Sequence, residues 1–232
     1  MNTENETHVP RLRVLLARIL EGNVGYIDIR SFTPGRDAER ASNAAMSLLV
    51  DCDALIIDVR DNGGGSTPAM ARVAGYMFAD SVHLTDLYWR DEHTTVRVWT
   101  PAPTSTAIQL ARQPAFILTS RRTFSAAEDF AYSLQALRRA ITVGDTTGGG
   151  AHSGKGLVDL GFGIKAFVPS GESLNPVTRT NWEGTGVRPD IPASDATALR
   201  VAYRAALKEL LRGATSGARR DRLERALKAI GE

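Results

Sequence analysis

The sequence predicts one α/β domain with β-rich insertions and a helical C-terminal end. Three observations predict it: buried-type apolar runs such as ALIIDV at 54–59, glycine loops directly after such runs, and helical spacing of apolar residues beyond the loops. The 232 residues are 43% hydrophobic, so the chain is long and apolar enough to fill a substantial core. These values exclude disordered and fibrous chains.

The N-terminal part of the predicted domain is a helix followed by a βαβ unit. Apolar residues recur at helical spacing over 11–20, and Gly22 ends the pattern. A β-branched run at 24–29 and the apolar run at 54–59 predict two strands, with a helix at 37–50 between them.

The rest of the chain continues this alternation around one insertion. Residues 82–89 and 94–99 alternate between polar and apolar around a polar turn, so they predict an inserted β-hairpin. The other predicted elements are helices at 68–78, 126–139, 196–211 and 219–230, and strands at 115–118, 141–143, 157–160 and 164–168.

Charge and apolar patterning exclude several classes of partner. Lys and Arg total 28 against 26 Asp and Glu, and the formal net charge of +2 is too small to indicate binding to nucleic acid or a membrane surface. No apolar run approaches the ~18 residues that a membrane span needs. The N-terminus lacks a signal-peptide pattern, so the sequence as written predicts a cytoplasmic protein, whereas a truncated N-terminus would fit a periplasmic or secreted one.

The single cysteine, Cys52, cannot form an internal disulfide. Because it precedes an apolar run and has no His or Lys near it in sequence, we interpret it as a packed small hydrophobe and not as a nucleophile. One thiol and four scattered histidines also exclude a tetrahedral cysteine metal site.

Ser125 is the first candidate for chemistry. It follows a predicted strand and turn and precedes a predicted helix, which brings its side chain close to the free backbone amides of the helix N-terminus. As a nucleophile it would attack a carbonyl whose oxyanion the Ala126 N–H stabilises. The Ser-x-x-Glu pattern from Ser125 to Glu128 is also a capping box, which explains both residues without catalysis. The local pattern leaves both interpretations open.

Two triple-glycine loops are candidate ligand sites. The loop at 63–65 follows a strand directly, so its N–H groups would point outward at the carboxyl end of a sheet, with a simple tight turn as the alternative. It lacks the Lys-Ser/Thr ending of a P-loop and the dinucleotide spacing, which disfavours nucleotide binding. The second loop is at 148–150, and the neighbouring His152 is interpreted as either a polar loop residue or a base.

Several charged residues have ordinary structural interpretations. Lys155 fits a solvated loop cation, and Glu183 fits a surface carboxylate. Asp58 and Asp61 flank Arg60 beside the first glycine loop, which predicts an ion pair that shapes the turn.

Five ordered motifs, VGYIDI, ALIIDVRDNGGG, ILTSRRTFSAAEDFA, VGDTTGGG and WEGTGVRPDI, resemble the tail-specific or C-terminal processing peptidase family. The resemblance covers roughly residues 23–202 and is closest to the branch that contains interphotoreceptor retinoid-binding protein and the tricorn core protease. It implies a ClpP/crotonase-like spiral of ββα units with an inserted β-hairpin and a C-terminal helix. It also implies a division into an N-terminal helix at 1–22, a catalytic domain at 23–212 and a basic helical tail at 213–232.

The resemblance implies a serine-type peptidase that hydrolyses peptide bonds through an acyl-enzyme on Ser125, with no metal or organic cofactor. The implied oxyanion hole uses the Ala126 N–H together with a glycine amide, of Gly64 or Gly65. Glu183 falls where the tricorn-like branch places an acidic member of its catalytic relay.

The general base departs from the family pattern. The processing peptidases carry a lysine in a Thr-x-Gly-Lys-Gly segment, and Gly149 occupies the lysine place here, so a Ser-Lys dyad is not expected. The tricorn-like branch takes a histidine from an N-terminal helical segment, for which this sequence has little room. His8 and His152 remain as replacements in cis, so the activity is expected to be impaired or to use an unconventional base.

Two other interpretations stay open. The first is a non-catalytic binding module for retinoid or fatty-acid-like ligands; the carriers of that branch lack serine in the TSxxTFSAAE segment, whereas Ser125 is present here, which favours the peptidase. The second is a truncated reading frame whose missing N-terminal part holds the base. The expected partner is a peptide or protein substrate, without nucleic acid or a membrane span. The sequence leaves the substrate's identity and homo-oligomer formation open.

Overall fold

A mostly parallel β-sheet with helices on both faces organises the chain, and the computed structural model describes residues 14–215 and 217–231. The described strands are β1 (Val14–Leu20), β2 (Val24–Ile29), β3 (Ala54–Asp58), β4 (His83–Trp89), β5 (Thr94–Trp99), β6 (Ala115–Thr119), β7 (Ile141–Gly144), β8 (His152–Ser153), β9 (Leu157–Asp159), β10 (Lys165–Phe167), β11 (Gly171–Leu174) and β12 (Ile191–Pro192). The described helices are α1 (Arg36–Leu48), α2 (Thr67–Gly75), α3 (Ser105–Leu110), α4 (Ala126–Ala136), α5 (Ala198–Gly213) and α6 (Ala218–Ala229).

The strands form two main sheets within the described residues. The larger sheet has the order β1-β2-β3-β6-β7-β12, in which β1 is antiparallel to β2 and all other neighbours are parallel. The smaller sheet is antiparallel with the order β5-β4-β11-β8. Strands β9 and β10 form a separate hairpin. The protein is therefore a mixed α/β structure, as the sequence predicts.

Burial on both faces explains the continuous apolar strands. In β3, Leu55 and Ile57 pack into the core shared with α1, α2 and α4, whereas Ala54 and Ile56 pack against α5 and α6. A strand covered on both faces needs apolar residues at every position and not at alternate ones. The C-terminal helix α6 belongs to the second core, because its Leu223 is buried there.

The predicted N-terminal helix over 11–20 is wrong where the structure describes it. Val14–Leu20 is a strand that pairs with β2 in an antiparallel hairpin. The hairpin turns at Gly22 and Asn23, which have φ values of 79° and 61°, so these residues close a hairpin and do not terminate a helix. Helical spacing over so short a run does not exclude a strand, and pairing covers the edge of β2 that would otherwise be free.

The other predicted helices and strands are confirmed with bounds shifted by a few residues. The sequence prediction missed α3, β8, β11 and β12, which are short elements; the three strands depend on pairing with distant segments. The packed-hydrophobe interpretation of Cys52 is confirmed, because the side chain is buried and burial raises the pKa of its thiol to about 11. No helix in the described ranges is both long and apolar enough to cross a bilayer.

Candidate active site

A cavity of about 520 Å³ opens between the N-terminus of α4 and the smaller sheet. Its lining includes Ser125, Gly65, His152 and Glu183, together with the aromatic residue Trp89 of β4. These residues come from motifs that are far apart in the sequence. In the structure they line the same cavity. Thr67, the first residue of α2, and Ser125, the N-cap of α4, both line the cavity, so the N-termini of two helices lie at its wall.

The backbone of Ser125 has an unusual conformation. Its φ of 54° and ψ of −123° lie outside the regions that ordinary L-residues favour, and it directly precedes α4. Such conformations cost about 1–3 kcal/mol and occur preferentially at functional sites. The Glu128 half of the predicted capping box is present, because the Glu128 carboxylate accepts the Ser125 N–H at 2.8 Å. The capping role of this segment and the exposure of the serine to the cavity therefore coexist.

Two backbone amides near Ser125 are available to a ligand. Among the described residues, neither the Ala126 N–H nor the Gly65 N–H donates a hydrogen bond, whereas the Gly64 N–H donates to Asn62 Oδ1 at 2.9 Å. Of the two glycines that the sequence proposes for an oxyanion hole, Gly65 is thus the one with a free donor and the one that lines the cavity.

Gly64 has a different role, which is close packing. Its φ is 102°, and a Cβ at this position would lie 2.8 Å from the Ser125 Cβ and 3.1 Å from the Ala126 nitrogen. Only glycine therefore permits the 63–65 loop to contact the backbone of the candidate nucleophile at this distance. The side-chain amide of Asn62 also donates to the Ile29 carbonyl oxygen at 3.0 Å, which fixes the loop on the sheet.

His152 lies on the cavity wall between two carboxylates. Its Nδ1 is 3.7 Å from Glu183 Oε1 and its Nε2 is 3.8 Å from Glu172 Oε2. No hydrogen bond joins the imidazole to the Ser125 hydroxyl in the part of the chain that the structure describes. An imidazole on the wall of a cavity that also contains a serine has the chemistry of a candidate general base.

Glu183 is exposed, as its interpretation as a surface carboxylate predicts, and its carboxylate is also hydrogen-bonded to the backbone. Its Oε2 accepts the backbone N–H groups of Ala151 and His152 at 2.6 and 2.9 Å. The same carboxylate thus holds the backbone of His152 and faces its ring through the other oxygen.

The remaining histidines lie elsewhere or outside the described residues. His83 stacks on Trp99 and bonds to Asp86 at 2.8 Å in the smaller sheet, and His93 lies in the turn between β4 and β5. His8, the other proposed replacement base, falls outside the described residues.

Neither Lys155 nor residue 149, at the family's lysine place, supplies a lysine side chain to the cavity lining. Lys155 bonds to Glu92 and lies 5.3 Å from the centre of the Trp89 ring, and the Glu92 hydrogen bond raises the pKa of the lysine, which favours the protonated amine. At Gly149, which occupies the family's lysine place, a Cβ would lie 3.2 Å from backbone atoms of Gly184 and Gly186. Packing therefore leaves little room for a longer side chain.

The predicted ion pair beside the first glycine loop is confirmed. Arg60 bonds to Asp58 at 2.6 Å and also to the carbonyl oxygen of Asp195, and the Asp58 hydrogen bond raises the pKa of the guanidinium. Asp61 pairs with Arg122 at 2.5 Å. These pairs tie the turn after β3 to neighbouring loops and lie outside the lining of the cavity.

The sequence does not identify Asn62 as part of the site, and it predicts only a capping role for Glu128. Asn62 engages the Gly64 amide, and Glu128 binds several groups beyond its cap, described below. The Asn-Gly pair and the Ser-x-x-Glu pattern are visible in the sequence, but the distant partners of these side chains are not.

Comparison with known proteins shows similarity to a family of peptidases. Residues 23–193 match Peptidase family S41. The chain is 30% identical over 129 residues to a tail-specific protease from Haemophilus influenzae, covering 55% of this chain and 17% of that protein. It is 28% identical over 187 residues to a chloroplastic C-terminal processing peptidase from Tetradesmus obliquus, covering 72% of this chain and 34% of that protein.

Solved structures give a matching fold. The photosystem II D1 C-terminal processing protease superposes with a TM-score of 0.61 at 24% identity, covering 75% of this chain and 43% of that one. At this identity the similarity shows a common fold. The chain spans less than half the length of each of these three relatives.

Proposed function

The chain belongs to Peptidase family S41, and from this premise we propose that it is a serine-type peptidase that cleaves peptide bonds through an acyl-enzyme on Ser125. One observation carries the proposal: Ser125 lines the cavity directly before α4, and the nearby Ala126 and Gly65 N–H groups donate no hydrogen bond within the part of the chain that the structure describes. We further propose that residues 23–212 are the catalytic unit, arranged as a ClpP/crotonase-like spiral of ββα units.

The proposed reaction uses His152 as the general base. The Ser125 oxygen bonds to the substrate carbonyl carbon while its proton passes to the imidazole. The oxyanion accepts hydrogen bonds from the Ala126 and Gly65 amides. The imidazolium then protonates the leaving amine as the C–N bond breaks, and water hydrolyses the ester with the same base. Catalytic hydrogen bonds are often long in a substrate-free protein, which fits the separation of His152 from the serine.

We propose Glu183 as the carboxylate that orients His152 in this scheme. It is the one that holds the histidine's backbone as well as facing its ring. A carboxylate in this position stabilises the imidazolium without taking its proton.

The proposed substrate is an extended peptide cleaved near its C-terminus, as the names of the processing relatives describe for those proteins. Strand β8 lies at the end of the smaller sheet, and both of its residues line the cavity. An extended peptide could therefore add along this sheet edge, with its scissile carbonyl near Ser125.

A fluorophosphonate probe tests the proposed nucleophile. We expect the wild-type protein to be labelled and Ser125→Ala to lose labelling. Ser105→Ala is the control, because Ser105 is exposed at the start of α3, outside the cavity lining, and should leave labelling intact. A folded wild-type protein that is not labelled would contradict the proposal and favour the binding-module alternative, whereas labelling that persists in Ser125→Ala would contradict it by placing the nucleophile elsewhere.

A further inference from the structure

Two carboxylates share four successive backbone N–H groups at residues 149–152. Glu128 accepts the first two N–H groups at 2.6 and 2.9 Å, and Glu183 accepts the last two at 2.6 and 2.9 Å. The loop that leads to His152 is thus held from both sides by charged acceptors, which form stronger hydrogen bonds than neutral ones.

Glu128 is the more deeply placed of the two. It is fully buried on α4, and each of its oxygens accepts two hydrogen bonds. Oε1 accepts from the Thr147 hydroxyl and the Gly149 N–H, both at 2.6 Å, and Oε2 accepts from Ser125 and Gly150 N–H groups at 2.8 and 2.9 Å. Among the described residues it forms no ion pair with Lys, Arg or His. A buried carboxylate without a cation is stable only when hydrogen bonds satisfy it, so these four donors are a linked set.

The loop at 148–150 packs closely against the turn at 123–125. A Cβ at Gly150 would lie 2.1 Å from the Phe124 ring, so the loop backbone lies directly on the residue that precedes the candidate nucleophile. The Gly148 N–H donates to the Thr123 carbonyl oxygen at 3.0 Å on the same turn. Glu128 and the 123–125 turn therefore hold the loop through independent contacts.

We propose that Glu128 is a positioning residue for the reaction: it fixes the Ser125 backbone and the loop that carries His152 relative to each other. This inference rests on the proposed function, because Glu128 would affect the reaction only by positioning the proposed nucleophile Ser125 and the proposed base His152. Glu128 itself is buried and does not line the cavity. A displacement of about 1 Å between reacting groups costs on the order of 100-fold in rate, so the shared anchor should matter for turnover.

Glu128→Gln provides the test. The amide keeps the shape of the carboxylate but has only one acceptor oxygen, so two of the four donors lose their acceptor. We expect kcat and the rate of fluorophosphonate labelling to fall about 100-fold, with KM changed less than about threefold. Hydrogen exchange at the Gly149 and Gly150 amides should become at least about tenfold faster.

Two sets of controls separate positioning from general destabilisation. Ser133→Ala removes a buried hydroxyl from the same helix, where it bonds to Leu84 and Asp129 and not to the loop. It should leave the labelling rate and the loop exchange unchanged. If Glu128→Gln does not fold, Thr147→Val removes one donor, and Thr147→Ser, which keeps the hydroxyl, should restore the labelling rate that Thr147→Val lowers.

Each outcome supports or overturns the proposal. Faster loop exchange together with slower labelling supports it. Unchanged loop exchange in Glu128→Gln, or faster exchange with an unchanged labelling rate, overturns it. A wild-type protein that is never labelled contradicts the proposed peptidase function instead, and loop exchange then still reports whether Glu128 anchors residues 149–152.

Discussion

The Glu183 carboxylate lies 3.7 Å from Nδ1 of His152 and also accepts the backbone N–H of that histidine at 2.9 Å. One side chain therefore fixes both the main chain and the ring environment of the proposed base. Glu172, on the other side of the ring at 3.8 Å, does not accept the backbone N–H of the histidine, although the two carboxylate side chains are exposed to a similar degree. The two carboxylates are similar in distance but differ in how firmly they are held.

This difference predicts unequal effects of two isosteric substitutions. Glu183→Gln should lower kcat by about tenfold or more, which is part of the roughly 100- to 10,000-fold that general-base catalysis supplies. Glu172→Gln should change kcat by less than about twofold, because Glu172 does not accept the His152 N–H and therefore does not hold the histidine in place. Steady-state kinetics on a peptide substrate measure both. Equal losses in the two variants would show that the Glu183 contacts do not orient the base.

Replacement of the proposed base should have the larger effect. His152→Asn should lower kcat/KM by about 100- to 10,000-fold, since the serine then has no group to accept its proton. His93→Asn is the matched control, because His93 has a φ of 49° in an exposed turn and asparagine tolerates that conformation. Full activity of a folded His152→Asn protein would place the base elsewhere, and His8→Asn would be the next variant to assay.

The first glycine loop offers a paired test of close packing against the nucleophile. Gly64→Ala places a Cβ 2.8 Å from the Ser125 Cβ at a positive φ, so we expect a loss of about 1–3 kcal/mol in unfolding free energy and slower labelling by the probe. At Gly63 the added Cβ meets nothing within 4 Å, so Gly63→Ala should stay within about 0.5 kcal/mol of wild type. Urea unfolding measures the stabilities. Similar behaviour of the two variants would contradict the packing described here.

The local patterns in the sequence predict most of the fold. Runs such as ALIIDV identify strands because burial on both faces demands apolar residues throughout, and this requirement is visible without a structure. The apolar spacing over 11–20 fits both a helix and a strand, and pairing with β2 makes Val14–Leu20 a strand. Short strands such as β8 exist only through their partners, so no local pattern marks them.

The sequence identifies the candidate site residues but not how they are arranged. The Ser125 segment is conspicuous because chain order alone places it at a helix N-terminus. The choice between Gly64 and Gly65 depends on which amide Asn62 occupies. The approach of Glu183 to His152 joins residues 31 positions apart, which spacing does not reveal.

The carboxyl group of Asp129, on α4, is linked to strand β4 of the smaller sheet through hydrogen bonds that involve Ser133 and Thr85. Asp129 is buried, and burial raises its pKa to about 7, although hydrogen bonds from Ser133 and Thr85 act in the opposite direction. The Ser133 hydroxyl lies 2.9 Å from Asp129 Oδ1 and 3.0 Å from the Leu84 carbonyl oxygen, yet it has a single proton. A protonated Asp129 resolves this competition by donating to Ser133, which then donates to Leu84.

Asp129 should therefore make the protein less stable as pH rises. Between its unfolded pKa near 3.8 and its folded pKa of about 7, the native state keeps a proton that the unfolded state has lost. The unfolding free energy then falls by up to about 1.4 kcal/mol per pH unit in this window and levels off above it. Asp129→Asn keeps a neutral side chain and should lose this slope. Urea unfolding of both proteins from pH 5 to 8 measures the difference; parallel stability profiles would show that Asp129 is ionised in the folded protein throughout.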